Sequence, residues 1–92
     1  MARLNPQEAR ERVKALPGWE LLAGELEIRK VYVFSDFKGS MLFVNRVAEL
    51  AEAMNHHPDI LINYRRVTLT LTSHDSGGLT DRDFRLAGRI DG

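Results

Sequence analysis

The chain has 92 residues, 43% of them apolar, enough for one core and one domain over residues 1–92, since a chain this small buries only about 60 to 65% of the surface it exposes when unfolded. It has no cysteine, which excludes disulfides, thiolate chemistry and cysteine-rich zinc sites. Thirteen basic and thirteen acidic residues balance, so the electrostatic footprint of a nucleic-acid binder is missing; no apolar run is long enough for a membrane span and no apolar leader follows Met1, which predicts a cytoplasmic protein.

Asn5-Pro6-Gln7-Glu8 starts the first helix, with Asn5 as N-cap, Pro6 at the first helical position and Glu8 closing a capping box. The helix is predicted over about residues 6–15. Ala9, Val13 and Leu16 supply a narrow apolar stripe, and Pro17-Gly18 ends it. Trp19 to Ala23 and Glu25 to Phe34 read as a hairpin turning at Gly24. On its second strand Leu26, Ile28, Tyr32 and Phe34 share a face that Lys30 interrupts, which places Lys30 where that face meets solvent or a site.

Ser35-Asp36 caps the longest element, a strongly amphipathic helix over about residues 37–55 that Pro58 terminates. Asp59 to Tyr64 follows as a strand, Arg65-Arg66 as a turn, and Val67 to Ser73 as a second strand in which Val67, Leu69 and Leu71 alternate with Thr68, Thr70 and Thr72. After the loop Asp75-Ser76-Gly77-Gly78, Thr80 to Asp83 is a capping box with Asp in place of Glu, opening a helix over residues 81–90. Arg82, Arg85 and Arg89 on it read as a solvated face. The order α-β-β-α-β-β-α predicts an α+β fold, a four-stranded antiparallel sheet with three helices packed on one face.

All three histidines fall within nineteen residues: His56 and His57 where the long helix stops, and His74 just past a strand. Histidine gives and takes protons near neutral pH, so a cluster of them suits chemistry in which one group donates a proton and another accepts one. Glu52 lies at i,i+4 from His56, a spacing suited to orienting that imidazole. Each histidine alone reads as a helix or strand-end cap; three together favour a site. The competing reading is a metal bound by Glu52, His56 and His74, but no ligand-spaced motif such as HExxH supports it.

The run Glu52-Ala53-Met54-Asn55-His56-His57-Pro58, with Tyr64, His74 and Asp83 beyond it, resembles the signature of the pterin-4a-carbinolamine dehydratase family. Gly18-Trp19, Phe34-Ser35-Asp36-Phe37 and Gly78-Leu79-Thr80 are similar too, so the likeness spans nearly the whole chain. It implies a lyase that dehydrates 4a-hydroxytetrahydrobiopterin to the quinonoid dihydropterin, using neither metal nor cofactor, in a homodimer or homotetramer. It assigns proton transfer to His56, His57 and His74, pterin contact to His57 and Glu52, and the site wall to Pro58. Asp83 is assigned pterin contact or helix capping. Ile60 departs from the aromatic that many relatives carry there. The resemblance also leaves a protein-binding dimerisation role and a link to molybdenum-cofactor metabolism as alternatives.

Overall fold

The structure, a computed structural model, describes residues 2–92. Its elements are α1 (Pro6–Lys14), β1 (Glu20–Leu21), β2 (Ile28–Val33), α2 (Phe37–Met54), β3 (Asp59–Asn63), β4 (Arg66–Leu71), a single 3₁₀ turn (His74–Ser76) and α3 (Asp81–Asp91). The strands form one antiparallel sheet in the order β1-β2-β4-β3. The three helices and this sheet make the predicted α+β arrangement. No helix among the described residues is long and apolar enough to cross a membrane.

Alternation sets the layers. Val67, Leu69 and Leu71 of β4 are fully buried, and the register places them beside Tyr32, Lys30 and Ile28 of β2, so these side chains share the face that receives the helices. Val47 of α2 and Phe84, Leu86, Ala87 and Ile90 of α3 join these strand residues in one buried core. Phe43 adds an aromatic contact, its ring centroid 4.5 Å from Tyr32 and 5.1 Å from Phe34. The opposite face is open. There Val31, Thr68 and Leu61 form one row across β2, β4 and β3, with Val31 and Leu61 exposed.

Caps fix the helix starts. Asn5 and Glu8 form the capping box of α1, the Asp36 side chain accepts from the Gly39 N–H, and Thr80 and Asp83 form the capping box of α3. The first hairpin is shorter than predicted: β1 has two residues, and the connection from Leu22 to Glu27 turns through Gly24 and Glu25, both with positive φ (88° and 59°). The connection that turns on these two residues leaves 22–27 outside the strands, so pairing ends at Leu21 and Ile28. The second hairpin turns at Tyr64-Arg65, not Arg65-Arg66, because Tyr64 takes the left-handed conformation (φ 53°) and Arg66 pairs with Asn63.

Lys30 reaches neither open solvent nor the histidines. Its Nζ donates to the Pro17 carbonyl (3.0 Å) and to Asp91 Oδ2 (2.9 Å), where it joins Trp19 Nε1 (2.9 Å), while Tyr32 Oη donates to Asp91 Oδ1 at 2.5 Å. Three donors from the β1–β2 region therefore converge on the last residue of α3. Burial, and then the neighbouring carboxylate, push the Tyr32 hydroxyl far above its ordinary range. Burial alone would raise the Asp91 carboxyl, but hydrogen bonds from Tyr32, Lys30 and Trp19 outweigh it and hold the group below the usual carboxylate range.

Candidate functional site

The end of α2 decides where the histidines go. Asn55 is left-handed (φ 49°, ψ 44°), its N–H bonds back to Glu52 O, and the His56 N–H reaches Ala51 O at 3.0 Å. This is a Schellman ending, which peels the chain off the helix axis. Consequently His56 and His57 leave the helical register and face different partners.

His56 is buried, 7% exposed, and its Nε2 lies 2.5 Å from Asp83 Oδ1. Asp83 is wholly buried; its other oxygen, Oδ2, accepts from Ser73 Oγ and from the Thr80 N–H, each at 2.9 Å. A buried carboxylate with both oxygens engaged is a rigid partner for an imidazole. His57 is exposed, and its Nε2 contacts Glu52 Oε2. The i,i+4 pairing of Glu52 with His56 is thus replaced by Glu52 with His57, because the left-handed Asn55 carries His56 away toward α3.

The two histidines and His74 line one cavity of about 290 Å³ at the C-terminal end of α2. His74 arrives from the other side, in the 3₁₀ turn that follows β4. Thr72, Ser73, Asp75 and Arg82 complete the wall together with Asn55. Of the other residues singled out from the sequence, Glu52 and Asp83 stand behind His57 and His56 instead of lining the cavity, and the half-buried Pro58 lies outside its wall. A second cavity of about 300 Å³ shares Thr72 and His74 with the first and extends past Glu27, Gly77 and Gly78.

Arg82 is the wall residue that the sequence hid. Its Nη2 donates to both oxygens of Asp75 (3.0 and 3.2 Å), and this hydrogen bond is the chief reason that the Asp75 carboxyl lies below its ordinary range. Its Nε is buried without a partner. Arg85 and Arg89 are exposed, as a solvated face requires, but Arg82 sits at the second position of α3 and turns back over the 3₁₀ turn. Only the seven-residue separation of Asp75 and Arg82 across a Gly-Gly loop could have signalled it.

Chemically, the cavity offers three imidazoles, two of them backed by carboxylates, at one end of an antiparallel sheet. Among the described residues no group of three or more His, Cys, Asp or Glu side chains is placed to hold a metal ion. The carboxylates of Glu52 and Asp83 are engaged by separate imidazoles.

Fold and site together define a small α+β domain with three histidines at one cavity. The chain belongs to a family whose model, pterin 4 alpha carbinolamine dehydratase, matches residues 2–92. A protein of Acidobacterium capsulatum, provisionally named as a pterin-4-alpha-carbinolamine dehydratase, is 55% identical over 91 residues, covering 99% of this chain and 97% of the relative. A similarly named protein of Thermomicrobium roseum is 50% identical over 90 residues, covering 98% of this chain and 95% of that one. Among solved structures, the transcriptional coactivator/pterin dehydratase from Brucella melitensis superposes with a TM-score of 0.92 at 34% identity, covering 97% of this chain and 95% of that one. A pterin dehydratase-like protein described as a RuBisCO assembly factor of the alpha-carboxysome shares the fold, with a TM-score of 0.69 at 23% identity over 80% of this chain and 86% of that one.

Proposed function

We propose that this protein is a hydro-lyase that removes water from a pterin-4a-carbinolamine such as 4a-hydroxytetrahydrobiopterin, releasing the quinonoid dihydropterin. The observation that carries the reading is the convergence of His56, His57 and His74 on one cavity within a family fold of dehydratases. In the reaction the C4a–O bond breaks, a histidinium protonates the departing hydroxyl, and a neutral imidazole accepts a proton from a ring nitrogen. Each well-placed acid or base contributes on the order of 10² to 10⁴ in rate. Glu52 orients His57, and Arg82 presents donors to the substrate's oxygen and nitrogen acceptors. Neither step calls for a metal or cofactor. Stopped-flow dehydration of a synthetic carbinolamine tests the reading: a rate above the spontaneous one, saturating in substrate, supports it, and a rate equal to the spontaneous one defeats it.

The protein acts as a homodimer or homotetramer in the cytoplasm. β3 is a sheet edge with unpaired backbone groups, and Ile60 and Leu61 are exposed on it, 36% and 57% respectively. Such an edge favours pairing with another strand, and a second copy would enlarge a small core. Sedimentation at micromolar concentration should therefore give a mass of at least twice 10.5 kDa. A protein-binding role is the second reading, favoured by the exposed Val31, Val33 and Leu61 on the helix-free face.

A further inference from the structure

The polar chain behind His56 has a direction. The backbone N–H of Arg82, which can only donate, points at Thr80 Oγ1 from 3.3 Å. Thr80 Oγ1 lies 2.9 Å from Ser73 Oγ, and Ser73 Oγ donates to Asp83 Oδ2 at 2.9 Å. Ser73 has one hydroxyl proton, and the carboxylate takes it. The Thr80 proton therefore goes to Ser73, and every hydrogen bond in the series runs toward Asp83. The Thr80 N–H donates to the same Oδ2. The remaining oxygen, Oδ1, meets His56 Nε2 at 2.5 Å, and an oxygen that only accepts requires the imidazole to bring an N–H.

We propose that Asp83, its other oxygen taken up by Ser73 Oγ and the Thr80 N–H, is a positioning residue that holds neutral His56 as its Nε2–H tautomer, leaving Nδ1 as the atom that accepts the proton during dehydration. Ser73, Thr80 and Asp83 are each no more than 1% exposed, so water cannot substitute for a missing member of the chain. A carboxylate held in this way fixes ring orientation and stabilises the imidazolium as it forms. His57 and His74 are left to protonate the departing hydroxyl. This division of roles rests on the dehydratase reading, but the tautomer itself does not.

The test uses the full-length protein without ligand. Long-range proton–nitrogen NMR of the histidine rings, recorded at a pH where His56 is neutral, should show one Nε2–H tautomer in the wild type. Asp83→Asn should switch His56 to the Nδ1–H form, because Ser73 Oγ and the Thr80 N–H hold the amide oxygen and turn its NH₂ toward His56 Nε2, whereas Ser73→Ala leaves the carboxylate acceptor in place and should keep the Nε2–H form. In turnover, Asp83→Asn should lower kcat roughly a hundredfold or more, toward the about 10⁴ that a wholly wrong tautomer costs a serine protease, with KM changed less than about twofold. A purely structural Asp83 would shift melting without moving the tautomer. If Asp83→Asn does not fold, the wild-type spectrum still decides the tautomer. An Nδ1–H wild type, or an unchanged His56 tautomer in Asp83→Asn, would overturn the proposal. A wild type that fails to dehydrate the carbinolamine overturns the kinetic half alone, and the spectra still decide the tautomer.

Discussion

Replacing Asp91 with alanine removes the acceptor on which Trp19, Lys30 and Tyr32 converge. A hydrogen bond to a charged group contributes about 1.5 to 3 kcal/mol net, but three donors sharing one carboxylate do not add. Side-chain exposures of 24% for Asp91 and 21% for Lys30 let water compensate part of the loss, whereas Trp19, 6% exposed, would keep a largely stranded indole N–H. The sum is about 2 to 4 kcal/mol, or roughly 10 to 25 °C in Tm for a domain of this size. The pH dependence follows from the two shifts. Asp91 is held below its ordinary range, so its contribution is full above about pH 4 and disappears as pH falls through the folded-state value. Tyr32 is raised, so its contribution is full below about pH 10 and is lost at higher pH. Urea unfolding of wild type and Asp91→Ala, at equal protein concentration and at pH 7 and pH 2.5, measures both. A difference below 0.5 kcal/mol at pH 7, or one as large at pH 2.5 as at pH 7, would refute the argument.

Three other outcomes are expected. His57→Ala should fold and melt within about 1 kcal/mol of wild type, because the side chain is exposed, yet lose about 10² or more in kcat, as the dehydration assay will show. Dialysis against a strong chelator should leave turnover unchanged, and a loss that zinc restores would mean a metal acts in the reaction. Tyr64→Gly should stabilise the fold by about 0.5 to 1 kcal/mol by relieving a left-handed residue at an exposed turn, read as a higher urea midpoint at unchanged slope.

Much of this was legible in the sequence where a local signal had a local cause. Asn5 with Glu8, Asp36, and Thr80 with Asp83 cap the helices as their spacings indicate, and the Val67-Leu69-Leu71 alternation buries the face it predicts. What escaped was set by backbone conformations that the side chains do not announce. Asn55 reads as the last residue of a helix, yet its left-handed turn exchanges the partners of Glu52. Glu25 and Tyr64 are poor choices for positive φ, so their turns were misplaced. Ser73 looked like the end of a strand, and Arg82 like one arginine of an exposed row; both owe their positions at the cavity to a loop that folds back, the isolated bridge between Ser73 and Gly78. Asp83 was legible as a cap but not as the partner of His56, twenty-seven residues away.

The left-handed Asn55 has a consequence for anyone probing the protein with reagents. It gives two neighbouring, chemically identical side chains unequal access to solvent: His57 stands open, with 55% of its side chain exposed, while His56 is 8% exposed and sealed against a carboxylate. An acylating probe such as diethylpyrocarbonate should distinguish them by rate, the first reacting as a surface imidazole and the second more slowly, only through the cavity that His56 lines. The slower reaction then reports on access to the cavity, and the faster one serves as its control.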